Sequence, residues 1–168
     1  MSRIVPFDKK YDHSGFDCGV PALNNYLRIQ ASQDIRNHYS VMFVALAADA
    51  DKIVGFYTLS NASAPLNQIL GDPGDMQKKL PKYPNIPAIR LGRLAVDKSV
   101  QGLGIGKRLL ADAVLQSLKY PAWAVMLVDA KDTQASVFYK KHGFTAIDDD
   151  ELSLFVLRSM LVKFLAEA

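Results

Sequence analysis

The stretch from Arg90 to Leu110 limits what this chain can fold into more than any other. It reads Arg-Leu-Gly-Arg-Leu-Ala-Val, then Asp-Lys-Ser-Val, then Gln101-Gly-Leu-Gly-Ile-Gly-Lys-Arg-Leu-Leu110. An apolar strand runs through a short polar turn and a glycine-rich loop into an apolar helix. Gly102, Gly104 and Gly106 fall within five residues, which lets the backbone take positive φ and approach a ligand closely. The helix behind them supplies N–H groups without intrahelical partners and the positive end of its dipole. Together they form a seat for an anion such as a pyrophosphate, and Lys107 and Arg108 add charge to the first turn. The competing reading is a tight strand-to-helix turn with no ligand. A Walker loop is excluded, because no Gly-Lys-Ser/Thr follows at the required spacing. The dinucleotide fingerprint also fails, since the spacing is Gly-x-Gly-x-Gly and the strand lies far into the chain.

Charge concentrates around this loop. The net charge is only +3, yet residues 76–108 carry eight basic side chains against one acid, Asp97. The eight are Lys78, Lys79, Lys82, Arg90, Arg93, Lys98, Lys107 and Arg108. Such a band is either a solvated face with cofactor phosphate contacts or the footprint of a polyanionic substrate. The 168 residues, 49% of them apolar, suit a single globular domain spanning 1–168. The longest apolar run, Val41 to Ala48, is far too short to span a bilayer, and the first residues lack the apolar core of a signal peptide. One cysteine, Cys18, forbids an internal disulfide and suits the cytoplasm; it reads as a small buried residue rather than a nucleophile. No membrane and no metal are expected.

Periodicity gives a coarse element order. A short edge strand over 2–7 precedes an amphipathic helix over 21–36, opened by Pro21 and marked by Leu23, Tyr26, Leu27, Ala31 and Ile35. Tyr39–Ala47 and Ile53–Ser60 form a hairpin around Asp49–Lys52, with Gly55 a candidate bulge. Residues 61–88 lack periodicity and hold five prolines; a short helix is expected around Asp75–Leu80 and extended chain from Pro81 to Pro87. The central strand Ile89–Val96, a helix over 103–118 and a strand Trp123–Val128 follow. Asp132 then caps a helix that Gly143 ends. Strands Phe144–Ile147 and Leu152–Leu157 flank an acidic turn, and a terminal helix covers 158–166. The result is a mixed α/β chain.

Two motifs in this order carry a resemblance. Gln101-x-x-Gly104-x-Gly106 is similar to the acetyl-coenzyme A loop of the GNAT superfamily of N-acetyltransferases. Asp132-Thr-Gln-Ala135-Ser-Val-Phe138-Tyr139-Lys-Lys-His-Gly143-Phe144 resembles that family's later helix, where asparagine is common at the position of Asp132. The resemblance is closer to one branch, the GNAT-type toxins of bacterial toxin–antitoxin pairs. It is carried by Phe16-Asp-Cys-Gly19, Phe56-Tyr-Thr-Leu-Ser60, Leu80-Pro-Lys-Tyr-Pro84, Leu91-Gly-Arg-Leu-Ala-Val-Asp97 and Val128-Asp-Ala-Lys-Asp132. It implies a GNAT fold with a splayed central sheet and flanking helices. It further implies acetyl transfer from acetyl-CoA to the α-amine of aminoacyl-tRNA, which stops translation. A small ribbon-helix-helix antitoxin, through which operator DNA is bound, and a homodimer are the implied partners. A GNAT enzyme acting on a protein N-terminus or a small-molecule amine is the alternative.

The resemblance also places the site. Leu94, Ala95 and Val96 pair with pantetheine through their main chain. Gln101, Gly102, Leu103, Gly104, Ile105, Gly106 and Lys107 hold the pyrophosphate, and Asp132 takes the position of a pantetheine contact. Tyr139 is the expected acid: a phenol of pKa near ~10 is protonated at neutral pH and can donate to a departing thiolate. Lys78, Lys79, Lys82, Arg90 and Arg93 are the candidates for tRNA phosphates. The strand Leu91–Val96 offers no carboxylate as base, which favours an α-amine, with pKa near ~8, over a lysine near ~10.4. His38 and His142 are alternative bases.

Overall fold

The computed structural model describes residues 3–70, 84–148 and 150–166. In order, the elements are β1 (Arg3–Pro6), α1 (Pro21–Asn25), a π-helical turn (Tyr26–Gln30), α2 (Ala31–Arg36), β2 (Val41–Leu46), β3 (Ile53–Pro65), α3 (Leu66–Leu70) and β4 (Asn85–Val96). A 3₁₀ turn (Lys98–Val100), α4 (Ile105–Ser117), β5 (Val125–Asp129), α5 (Thr133–Lys141), β6 (Thr145–Ile147), β7 (Asp150–Leu157) and α6 (Arg158–Ala166) complete the chain. The chain forms two compact units, Met1–Ser60 with Leu91–Lys119 and Asn61–Arg90 with Tyr120–Ala168. The divisions fall after Ser60, within the residue range of β3, and after Arg90, within that of β4.

In the first unit the strand order is β1-β2-β3-β4. β1 lies antiparallel to β2 from Arg3↔Leu46 to Pro6↔Phe43, an edge position where a proline costs no ladder bond. β2 and β3 form the expected hairpin, and the register slips where Ala45 faces Gly55 and Leu46 faces Ile53. The extra residue is therefore Val54, next to the expected Gly55. Gly55 has a different reason to be glycine. A Cβ there would lie 2.9 Å from Leu109 Cδ1 and 3.1 Å from the Ala95 carbonyl, so the missing side chain lets α4 settle against the strand. Phe56, on the opposite face of β3, packs with Phe16, Tyr26, Leu27, Ala31 and Val44 in a core under α1, the π turn and α2.

The expected helix over 21–36 is helical throughout but contains the π turn, a feature that the 3.6-residue period does not encode. Tyr26 and Leu27, adjacent in sequence, are both buried in that turn.

In the second unit the order is β3-β4-β5-β7-β6. β5 is antiparallel to β7 from Val125↔Leu157 to Asp129↔Ser153, and β6 pairs with β7 on its other side. Val125 to Val128 are all buried, the continuous apolar pattern of a strand covered on both faces. Part of the stretch read as aperiodic proves regular: residues 61–65 extend β3, 66–70 form α3, and β4 begins at Asn85. Pro87 sits within β4 with its carbonyl accepting from Ala124 N–H at 2.9 Å. Its side chain removes a donor and not an acceptor, so the strand survives. The short helix expected around Asp75–Leu80 lies outside the described residues. No described helix is long and apolar enough to cross a membrane.

Asp132 caps α5 as expected, its carboxylate accepting from Ala135 N–H at 2.8 Å. Gly143 turns the chain out of that helix at φ +91°, a conformation that costs other residues about 1–2 kcal/mol.

Candidate active site

The anion seat belongs to the first unit. After β4 the chain enters the 3₁₀ turn, then Gln101, then Gly102 and Gly104 at φ +78° and +79°. A Cβ at either glycine would meet no atom within 4 Å, so there is open space beside both. Gly104 is the residue before α4, no side chain caps it, and the first turn of α4 contains no acid. Helix geometry leaves the N–H groups of Ile105, Gly106 and Lys107 pointing out of that end. These are the features of a phosphate cradle, and they fit a coenzyme A diphosphate.

Lys107 is exposed beside the loop, whereas Arg108 already has a partner. Leu103 is 70% exposed at the loop's tip. Leu94 and Val96 are half-buried and Ala95 is buried.

Gln101 makes side-chain bonds that its sequence position does not reveal. Its Nε2 donates to the carbonyls of Cys18 (3.1 Å) and Val96 (2.9 Å), so both amide hydrogens are taken by the protein. Asp97, before the 3₁₀ turn, is 6% exposed and accepts from Asp17 N–H, Ser99 N–H and the Ser99 hydroxyl. Burial pushes its carboxyl up, but those three donors outweigh it and hold the pKa below the usual carboxylate range. The Asp-x-Ser spacing is a local signal that could have exposed part of this arrangement. The contact with Asp17, 80 positions away, has no such signal.

Arg93 also carries a partner that sequence spacing could not show. Its guanidinium stacks over the ring of Tyr26, which in turn stacks on Phe56.

The second unit holds Tyr139. Its ring is 5% exposed and packs edge-on against Phe138 and Phe144 at 5.3 Å and 5.5 Å between centroids. Among the described residues none hydrogen-bonds its hydroxyl. Burial alone drives its pKa well above that of an ordinary phenol, so the hydroxyl stays protonated through the whole neutral range. Asp132 is occupied by its helix cap and by Lys131 at 2.7 Å. His142 gives Nδ1–H to the Phe138 carbonyl at 2.8 Å, which fixes the ring on its own helix.

Arg90 is ion-paired with Asp129, a partner not anticipated from sequence. Both line a cavity of about 290 Å³ with Ser63, Gln68, Leu127 and Ser153. Lys78, Lys79 and Lys82, the other candidate phosphate contacts, lie outside the described residues. Among the described residues no three His, Cys, Asp or Glu side chains gather as a metal site.

Comparison with known proteins agrees with this geometry. A family model described as "Acetyltransferase (GNAT) domain" matches residues 38–146. The chain is 33% identical over 149 residues to the tRNA-acetylating toxin of Mycobacterium tuberculosis, covering 87% of this chain and 86% of that one. A tyrosine-to-phenylalanine mutant of KacT superposes at TM-score 0.88, with 29% identity over 97% of this chain and 98% of that one. AtaT complexed with acetyl-methionyl-tRNAfMet superposes at 0.84, with 30% identity over 98% and 99% of the two chains. An AtaT mutant has also been solved with the C-terminus of the antitoxin AtaR and acetyl-CoA, at TM-score 0.78 and 27% identity over 98% of each chain.

Proposed function

The chain belongs to the GNAT family of acetyltransferases as a homologue of the tRNA-acetylating toxins, and from that premise we propose that it moves acetyl from acetyl-CoA to the α-amine of an aminoacyl-tRNA. The observation that carries the proposal is the likeness, along nearly the whole chain, to AtaT holding acetyl-methionyl-tRNAfMet. The open loop and uncapped α4 are what such a donor needs.

Acetyl-CoA supplies an acyl carbon activated as a thioester. Gly102 to Lys107 receive its diphosphate through backbone N–H groups, and the main chain of Leu94 to Val96 lines the pantetheine arm. The Val96 carbonyl already accepts from Gln101, so its second lone pair is the one available. Asp132 acts by capping α5, the helix that presents Tyr139.

The acceptor amine loses one proton as the amide forms, and the departing sulfur gains one. Tyr139 is suited to pass that proton, because its hydroxyl is neutral and no described residue claims it. A phenol raised by burial is a weaker acid than a thiol of pKa about 8.5. Tyr139 therefore gives up its proton only as it takes another from the amine side. An α-amine of pKa about 8 is partly neutral at pH 7 and needs no dedicated base.

Arg90 and Arg93 are proposed contacts for tRNA phosphates, with Lys78, Lys79 and Lys82. Stacking on Tyr26 occupies only the face of the Arg93 guanidinium and leaves its in-plane N–H donors for a phosphate. The proposed partners are an antitoxin that restrains the enzyme, as AtaR accompanies AtaT, and a second copy of the chain.

Assays with charged tRNA, ribosomal proteins and small amines side by side test the proposal. Acetylation of charged tRNA with growth arrest on expression is expected. Preference for a protein N-terminus or a small amine would replace it with the alternative activity.

A further inference from the structure

The donor loop is fastened to a segment far away in the chain. Both ends of the turn from Asp97 to Gln101 are bonded to residues 17 and 18. At the first end, Asp97 Oδ2 accepts from Asp17 N–H at 2.9 Å and Lys98 N–H donates to the Asp17 carbonyl at 2.8 Å. At the other, Gln101 Nε2 donates to the Cys18 carbonyl. Asp17 is itself held. Its Oδ1 accepts from Gly19 N–H at 2.9 Å and Asn24 Nδ2 at 2.8 Å, and its Oδ2 takes Lys98 Nζ at 3.1 Å. Asn24 closes the circuit by accepting from Cys18 N–H at 2.9 Å.

We propose that Asp97, Asp17 and Gln101 are positioning residues that clamp the glycine loop onto the Phe16–Gly19 segment and set its N–H groups for the donor's diphosphate. This rests on the reading of Gly102 to Lys107 as the acetyl-CoA site. A loop with two left-handed glycines has many conformations to lose when it binds. Fixing one of them beforehand shifts that cost from binding to folding. The Gln101 side chain thus serves the phosphate site without donating to phosphate, since its amide hydrogens are already spent. Asp97 is buried for the same purpose: its carboxylate gathers donors from the turn and from the distant segment at one point.

The test compares two donors. Asp97→Asn keeps the shape of the side chain but replaces an accepting oxygen with a donor. Calorimetry should show acetyl-CoA affinity weakened about tenfold or more, the scale of a lost charged hydrogen bond. At saturating donor, kcat should stay close to wild type. S-acetylpantetheine, which lacks the diphosphate, should be used with unchanged kcat/KM. Ser99→Ala removes only the 2.6 Å hydroxyl bond to Asp97. It keeps the test open if the first variant fails to fold, with a loss of about fivefold expected. Acetyl-CoA affinity equal to wild type in a folded variant overturns the clamp. So does an equal loss for both donors, which marks general destabilisation. If the wild-type protein binds no acetyl-CoA, the acetyltransferase reading fails and takes the clamp with it. If the wild type binds and the variants bind equally well, only the clamp fails.

Discussion

The guanidinium carbon of Arg93 lies 3.6 Å from the ring centre of Tyr26, whose hydroxyl donates to Asp34 at 3.0 Å. A half-buried cation on the face of a buried aromatic ring is worth about 1 kcal/mol. Arg93→Ala should therefore lower stability by about that amount in urea melts. It should also reduce the log–log salt slope of charged-tRNA use by about 0.7 to 0.9, one phosphate contact. Arg93→Lys should restore the slope but not the stability, because an ammonium keeps the charge and loses the planar stack. A slope unchanged in the alanine variant would remove Arg93 from the RNA surface.

Tyr139→Phe deletes a hydroxyl that no described residue hydrogen-bonds, so stability and acetyl-CoA affinity should hold. Turnover should fall about a hundredfold or more, the usual scale for a lost acid–base group. With a stable amide-linked tRNA analogue, the wild-type rate should rise with pH through the acceptor amine near ~8 and show no alkaline fall below about pH 10. The direction of the Tyr139 shift, upward through burial, forbids an earlier loss of its proton. An alkaline limb near pH 8 would assign the proton transfer to another group.

Gly104→Val should abolish acetyl-CoA binding in calorimetry without unfolding the protein. Its Cβ would enter the open side of the loop and its φ of +79° would cost about 1–2 kcal/mol. Gly55→Ala should act on stability as well as on binding. It forces Leu109 and the Ala95 carbonyl away, so thermal stability should drop by about 1–3 kcal/mol, the range for overpacking, and acetyl-CoA affinity should weaken without being abolished, because the Ala95 main chain is a proposed pantetheine contact. Equal binding in the Gly104 variant would argue for a plain structural turn.

Acid should loosen the donor loop. Asp17 is lowered from 3.8 to about 2, first by Gly19 N–H, then by Asn24 and Lys98; Asp97 is lowered as well. Groups depressed in the folded state stabilise it fully above their unfolded pKa near ~3.9 and stop doing so as pH falls through the folded value. Acetyl-CoA affinity and melting temperature should thus decline between about pH 4 and pH 2. Asp97→Asn should flatten that decline. A variant that tracks the wild type through this window would free Asp97 of the effect.

What could be read from the sequence was whatever neighbouring residues decide among themselves. The loop Gln101–Gly106, the Asp132 cap and the exit at Gly143 are set by residues a few positions apart, and each stands where expected. The Asp49–Lys52 hairpin follows the same rule. β3 beyond Ser60 and β4 before Ile89 were hidden, because strands depend on partners distant in the chain and prolines there imitate a loop. The site divides in the same way. The glycine turn and the place of Tyr139 on α5 could be read by motif. The bonds from Gln101 to Cys18, 83 positions away, from Arg90 to Asp129, 39 away, and from Arg93 to Tyr26 could not, since pairing at such range leaves no trace in one sequence.

The bond between Asp17 and Asp97 also sets a timetable. Its partners are 80 residues apart, and ribosomes add about 5–20 residues each second. Asp17 therefore waits roughly 4–16 seconds for its counterpart to be made, and longer for it to leave the exit tunnel. Throughout that interval the Phe16–Gly19 segment has its local partner Asn24 but no donor loop to hold. The nascent chain emerges without the donor site proposed for it, and the charged tRNAs that feed its synthesis are out of its reach until Asp97 has followed Asp17 out of the tunnel.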